Sequence, residues 1–311
     1  MGVRIVDVTA DQAGQRIDNF VIRLFPGLPR SRIYKAIRKG EVRVNKKRVK
    51  AEYKVQQADA IRLPPLIIAE KPERDQFITK QIGARLQNTI VFEDESWLVI
   101  NKPANMAVHA GSSQVAGVIE GLRAVRDDLD YLELGHRLDK DTSGCLLMAK
   151  NRQALCYFHE ALRQQRVRKT YHCLVSARWQ SASSVCKAPL LTNSHDSAKH
   201  KTRVDPAGKI AVTDFRIKKR CGYGTFLQAE PKTGRTHQIR VHAAHMGCPL
   251  IGDSRYGWRL PSWWGEHPRP RLMLHAAELE FTLPNSQRIM RFISPMPKEF
   301  RECMQHLVTI E

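Results

Sequence analysis

Apolar residues recur three and four positions apart near the N-terminus and two apart soon afterwards, so short helices give way to short strands. Ile17, Phe20, Val21 and Leu24 fall on one face of a helix predicted over 16–25, and Pro26-Gly27 ends it. Ser31 is placed to cap a second helix whose buried face is Ile33, Ala36 and Ile37, with Gly40 positioned to stop it. Glu41 to Asn45 then alternate with period two, as do Ala60 to Leu63. From Pro64 to about Gln87 the periodicity fades into Pro-Pro and mixed charge. The expected division is a small module over 1–65, a linker over 66–87 and a larger domain over 88–311.

The larger part interleaves strands and helices without a regular βαβ rhythm. Thr89 to Phe92 and Trp97 to Ile100 read as strands, and Cys145 to Ala149 is apolar throughout, as a buried strand would be. Asn151 can cap a helix reaching about Arg166 that presents Leu155, Phe158, His159 and Leu162. Further strands are expected at 170–176, 211–218, 224–230 and 272–281, and Pro297 suits the first turn of a terminal helix. This irregular mixture predicts an α+β fold with a mixed, mostly antiparallel sheet.

Charge narrows the range of partners. Across 311 residues, 51 Lys or Arg stand against 31 Asp or Glu, a net +20, while a 42% apolar share is enough for a packed core. Such a surplus points to nucleic acid first and an anionic membrane second. Between Arg30 and Lys50 lie ten basic residues and one Glu. There Arg30, Arg32, Lys35, Arg38, Lys39, Arg43, Lys46 and Lys47 are candidates for an RNA-phosphate footprint on the small module. A second basic stretch, Lys199 to Arg220, is either an RNA approach or a solvated hairpin. No apolar run nears the roughly 20 residues that span a bilayer. The first residues lack the core of a secretory signal, and position six lacks the Ser or Thr of a myristoylation site. A cytoplasmic protein is expected, without membrane attachment. The seven cysteines include no CxxC pair and read as reduced core residues. His242, His245 and Cys248 could share a helix face, but the spacing lacks HExxH order or a second ligand pair, so no metal is expected.

The chemistry concentrates in Gly135 to Gly144, GHRLDKDTSG, where Asp139 stands among cations in a turn-forming stretch just before an apolar strand. A carboxylate so held can stay ionised and act as nucleophile or base, although capping a turn is the commoner job of such an Asp. This decapeptide resembles the catalytic motif of the RluA-type pseudouridine synthases. Other segments follow in the same order as in that family: Asn101-Lys102-Pro103 with Val108-His109, Lys169-Thr170-Tyr171, Thr233 to Arg240 (TGRTHQIR), Gly252-Asp253 with Tyr256-Gly257, and Leu274-His275-Ala276. Residues 1–65, including Gly-Glu-Val-Arg-Val-Asn, resemble the S4 RNA-binding module.

The resemblance implies uridine isomerisation in RNA without metal or cofactor, with Asp139 as the essential carboxylate. It implies that Arg240 pairs with Asp139, that Tyr171 stacks on the target uracil and that Arg137 replaces the flipped base. Arg235 and His237 are candidates to contact phosphate or brace the loop; Lys102, His109 and His275 are read as architecture. An S4 module on this catalytic domain implies an enzyme of large-subunit 23S rRNA or its assembly intermediates; a monomer is expected. The sister type acting on the helix 69 stem-loop shares that layout. A non-catalytic S4-type binder would lack the constellation of Asp139, Tyr171 and Arg240. An RNA hydrolase would need a second carboxylate or a metal, for which Asp141 is the nearby candidate.

Overall fold

The computed structural model describes residues 2–25, 28–66, 72–110, 114–180, 183–192, 201–283 and 288–309. The chain divides into two compact units, Met1–Gln76 and Phe77–Glu311.

The first unit contains β1 (Arg4–Asp7), α1 (Ile17–Leu24), α2 (Arg30–Lys39), β2 (Arg43–Val44), β3 (Lys47–Arg48) and β4 (Ala60–Leu63). Its strands form an antiparallel sheet in the order β1-β4-β2-β3. Ile17, Phe20 and Val21 of α1 meet Ile33, Ala36 and Ile37 of α2 in one core with Val44, Ile61 and Leu63. Burying each of the larger side chains stabilises the unit by about 1.5–3 kcal/mol. The buried Asp18 carboxylate accepts from Arg16 Nη2 at 2.6 Å and Tyr34 Oη at 2.9 Å, tying α1 to α2. Gly40 ends α2 at φ +71°, as the sequence predicts. The start differs. Pro29 holds the N-cap position and Ser31 lies inside the first turn, so the serine cap does not form. Proline has no N–H to leave unpaired there.

The expected linker also differs. Residues 73–87 form α3 (Glu73–Gln87), whose buried residues are Thr79, Gly83 and Leu86. Small and polar residues carry most of that buried face, so no apolar periodicity betrays the helix.

The second unit continues with β5 (Ile90–Glu93), β6 (Trp97–Lys102), α4 (Val118–Arg123), β7 (Glu133–Leu134) and β8 (Ser143–Ala149). Next come α5 (Arg152–Arg163), β9 (Val167–Val175), β10 (Ser183–Cys186), β11 (Leu190–Thr192) and β12 (Thr202–Val204). The chain then forms β13 (Thr213–Cys221), β14 (Gly224–Pro231), α6 (Gln238–His245), β15 (Leu274–Thr282), β16 (Ile289–Ile293) and α7 (Lys298–Thr309). A ten-stranded sheet runs β10-β13-β14-β9-β15-β8-β6-β5, with β16 beside β15 and β7 beside β8. Among the described residues its pairs are antiparallel except β15 with β8, where His275 faces Ser143 and Ala276 faces Gly144.

The central strand explains its own composition. Cys145, Leu147 and Ala149 of β8 enter a core with Phe158 of α5, while Leu146 and Met148 enter another with Ile119 and Leu122 of α4. A strand covered on both faces is apolar throughout. Asn151 caps α5, its side chain accepting from Ala154 N at 2.8 Å. The cysteines are free, and all except Cys156 are buried. Among the described residues no helix is long and apolar enough to cross a membrane.

Candidate active site

Asp139 lies on the loop between β7 and β8, and that loop is held at several points. Its carbonyl accepts from Thr142 N at 3.1 Å, closing a turn just before β8. Upstream, His136 Nε2 accepts from Leu147 N at 3.2 Å, and Gly135 O contacts His159 Nε2 at 3.1 Å. Lys102, fully buried at the end of β6, sends its ammonium to the carbonyls of Pro103 (2.8 Å), Met106 (2.8 Å) and Lys140 (3.0 Å). Three acceptors match the three donors of a charged lysine. Burial pulls its pKa down to about 7, while Asp141 and Asp139 act in the opposite direction. The residue read as architecture thus pins the chain one position beyond Asp139.

The loop before α6 also approaches Asp139. Gln238 is buried; its Oε1 accepts from Thr233 Oγ1 (2.6 Å) and Arg235 N (3.1 Å), and its Nε2 donates to Val212 O at 2.9 Å. The TGRTHQIR motif is therefore folded around a glutamine amide. His237 adopts φ +55° at the helix start, and its Nε2 lies 3.8 Å from Asp139 Oδ2. Arg240 Nη1 is also 3.8 Å from that oxygen. The arginine's short bonds go elsewhere: Nε and Nη2 each donate at 2.8 Å to the two oxygens of Asp253, a buried bidentate pair. Arg240 thus reaches Asp139 as a charge, with its orientation fixed by Asp253. Along the sequence Asp253 stands out only as a member of a motif; a partner 13 positions away leaves no local spacing signal.

Asp139 feels opposing influences. Burial raises its carboxyl pKa above the usual range; Arg240, Arg137 and Lys102 pull it down, and Asp253 adds to the rise. The net direction is upward, and the carboxylate is 22% exposed, enough to meet a ligand. A cleft of about 830 Å³ opens beside it, bounded by Tyr171, Leu274, Lys169, Arg137 and Arg240. Tyr171 lies mid-strand on β9 and packs against both adjoining cores. Burial, then the charge of Asp139, raises its phenol pKa, so the hydroxyl keeps its proton. Arg137 is exposed at the cleft wall, while Arg235, also exposed, donates its Nε to Ile210 O at 3.0 Å. Arg163, Arg166 and Arg168 extend the basic lining along the turn from α5 to β9. Asp141 lines an adjoining cavity of about 470 Å³ with Arg271 and Asp253, whose wall shares Asp139, His237 and Arg240 with the cleft.

His275, read as architecture, and His242, weighed as a metal ligand, both have internal partners. His275 Nδ1 contacts Ser143 Oγ at 3.0 Å, and His242 is held between Thr213 Oγ1 (2.8 Å) and Ala188 O (3.0 Å). Among the described residues no group of three His, Cys, Asp or Glu side chains is arranged to hold a metal.

The basic candidates of the first unit do not all stand alike. Arg30, Lys35, Arg38, Lys39, Lys46 and Lys47 are exposed. Arg32 and Arg43 are half-buried: Arg32 Nη1 donates to Glu41 at 2.9 Å and Arg43 Nε to Gly40 O at 3.1 Å. Part of their donor capacity serves the fold. The stretch from Lys199 includes residues 199–200, outside the described residues; from 202 it enters β12 and then β13.

Comparison with known proteins identifies the family. Residues 96–245 match the RNA pseudouridylate synthase family and residues 15–61 match the S4 domain. Ribosomal large subunit pseudouridine synthase C of Escherichia coli (strain K12) is 46% identical over 98% of this chain and 97% of its own. The enzyme of the same name from Yersinia pestis is 47% identical over 97% and 95%. Among solved structures, human RNA pseudouridylate synthase domain containing 4 superposes with a TM-score of 0.63 at 24% identity, covering 74% of this chain and 97% of that one. Human RNA pseudouridylate synthase domain containing 1 gives 0.55 at 26%, covering 67% and 83%. The chain belongs to the RNA pseudouridylate synthase family, with an S4 domain ahead of the synthase domain.

Proposed function

We propose that this enzyme converts specific uridines of 23S ribosomal RNA to pseudouridine, with Asp139 as its one essential carboxylate. The near end-to-end likeness to ribosomal large subunit pseudouridine synthase C carries the choice of RNA. Supporting the choice of residue, Asp139 is a partly buried carboxylate at a cleft wall, with Arg240 and His237 each 3.8 Å from its Oδ2. The reaction breaks the N1–C1′ bond, turns the uracil and joins C5 to C1′; N1 ends protonated and the C5 proton leaves to solvent. Attack at C1′, addition at C6 and removal of the 2′ proton all require the same ionised oxygen. Tyr171 offers a ring against which the detached base can stack, and Arg137 at the wall can occupy the space it vacates in the RNA.

A base must leave its stack to reach Asp139, at a cost of roughly a few kcal/mol that is least in loops. Uridines near the peptidyl-transferase centre are the proposed targets, in free 23S rRNA or an assembling particle, with the enzyme acting as a cytoplasmic monomer. Exposed cations of the S4 domain, Arg30, Lys35, Arg38, Lys39, Lys46 and Lys47, supply phosphate contacts. Tritium release from C5-labelled 23S rRNA tests the reading: Asp139→Asn is expected to slow it by roughly a thousandfold or more, with RNA affinity nearly unchanged. Turnover within tenfold of wild type would remove Asp139 from the mechanism.

A further inference from the structure

Tyr256 has no part in the chemistry above, yet three elements of the site meet on it. It ends the 3-10 turn Ser254–Tyr256 that follows Asp253 and is 8% exposed. Its ring packs with Leu190, Ala211 and Val241, and the Arg240 guanidinium carbon lies over it, 5.1 Å from the centroid. Its hydroxyl oxygen stands 2.7 Å from His237 Nδ1 and 3.3 Å from the backbone nitrogen of Thr202 on β12. The other nitrogen of that imidazole, Nε2, is the one 3.8 Å from Asp139 Oδ2.

Counting protons orders this chain of contacts. A backbone N–H can only donate, so the Tyr256 oxygen accepts from Thr202 and its single proton points elsewhere. The Thr202 hydroxyl, 3.0 Å from that of Thr192, also bonds the Tyr256 hydroxyl and, against burial, lowers its pKa, as a group donating to the phenol oxygen does, which leaves His237 Nδ1 at 2.7 Å as the close acceptor. A ring nitrogen that accepts carries no proton, so a neutral His237 must hold its proton on Nε2. The ring is neutral on independent grounds: burial, then the charges of Arg240 and Arg255, lower its pKa to about 4. Arg137 acts in the same direction and Asp253 against it; Asp139 completes the charged surroundings. Burial also raises the Tyr256 pKa, so the phenol keeps the proton it must donate.

We propose that Tyr256 is a positioning residue: by donating to His237 Nδ1 it fixes the Nε2–H tautomer and turns a ring donor toward the Asp139 carboxylate. The opposite tautomer would face that carboxylate with a lone pair. At 3.8 Å the contact is electrostatic rather than a direct hydrogen bond. His237 also sits at φ +55°, a conformation costly outside glycine, so its ring direction depends on partners such as this hydroxyl.

The tautomer can be read without any reaction. In full-length protein labelled with 15N-histidine, with His237 assigned by the loss of its signals in His237→Gln, wild type is expected to show the Nε2–H pattern. Tyr256→Phe, which keeps the ring beneath Arg240, is expected to show a mixture of tautomers. A Nδ1–H pattern in wild type, or an unchanged pattern in Tyr256→Phe, would overturn the proposal. A second arm rests on the proposed isomerisation. With C5-tritiated 23S rRNA at saturation, Tyr256→Phe is expected to slow single-turnover release about tenfold, with RNA Kd within about twofold. In a His237→Gln background it should add nothing, because the hydroxyl acts through that ring. A purely structural tyrosine would lower the Tm and add its loss to that of His237→Gln, which would also overturn the proposal. Should wild type release no tritium, the isomerisation reading fails while the 15N pattern still decides the role of Tyr256.

Discussion

At Asp139 the enzyme balances burial against attraction, and the balance sets a pH dependence. Burial raises its pKa above the ordinary carboxylate range, near 3.9, and Arg240 is the leading influence pulling it back. In the role proposed for Asp139 the working form is the ionised one, so activity is expected to grow as pH rises through that raised pKa and to be lost as pH falls below it. The acid limb of kcat/KM is therefore expected above about pH 4, and further up still in Arg240→Met, where the opposing charge is gone. A limb that stays put in the variant would show that Arg240 does not govern the carboxylate. The same substitution strands Asp253, which is 1% exposed and loses both 2.8 Å bonds. Leaving one member of a buried pair alone costs about 3–5 kcal/mol, so urea unfolding must accompany the kinetics. Tyr171 separates more cleanly. If the ring stacks on uracil, Tyr171→Phe retains most activity while Tyr171→Ala loses roughly 1–3 kcal/mol of stacking. Equal losses in single-turnover rates of the two variants would assign the work to the hydroxyl.

The loop carrying Asp139 leads into the one parallel pairing among the described residues of the sheet, β8 beside β15. Gly144 lies in that pairing at φ +114°, and a Cβ there would collide with the Ala276 carbonyl oxygen. Gly144→Ala is expected to cost about 2–4 kcal/mol in denaturant unfolding, from backbone strain plus displaced strands. Because Asp139 lies just before this strand, tritium release should fall by more than that destabilisation explains; a stable, fully active variant would mean the loop is fixed by Lys102 and His136 alone. Legibility in the sequence followed the same physics. Strands and helices with large apolar residues at regular spacing were readable: α1, the Asn151-capped α5, and β8 with its Cys-Leu-Leu-Met-Ala core. Elements whose buried faces are small or polar were not, as with α3 and its Thr79 and Gly83. Asp139 could be proposed from the chain alone because its neighbours in sequence are its motif. Asp253 and Tyr256 depend on tertiary approach to α6, which spacing along the chain does not encode.

Across the whole molecule, the proposed function divides charge and chemistry between the two units, Met1–Gln76 and Phe77–Glu311. The Arg30–Lys50 segment carries ten basic residues and one Glu, and of the eight sequence candidates for the phosphate footprint six are exposed. Asp139, Tyr171, Arg240 and their braces all belong to the second unit. Every phosphate that a cation ceases to neutralise takes about 0.7–0.9 off the log–log salt slope of binding, so if five of these cations meet RNA, deleting residues 1–65 should flatten the slope by roughly 3.5–4.5. The catalytic loop retains Lys102, Asp253 and the β8–β15 pairing in that deletion, so single-turnover rates at saturating RNA are expected within about tenfold of wild type, a change of no more than about 1.4 kcal/mol. Both quantities are measured on one 23S rRNA fragment across a salt series. An unchanged slope would move the phosphate-binding role onto the basic cleft lining of Arg163, Arg166 and Arg168. A collapsed saturating rate would instead make the S4 domain part of the active site, and the division of labour between binding and chemistry would fail.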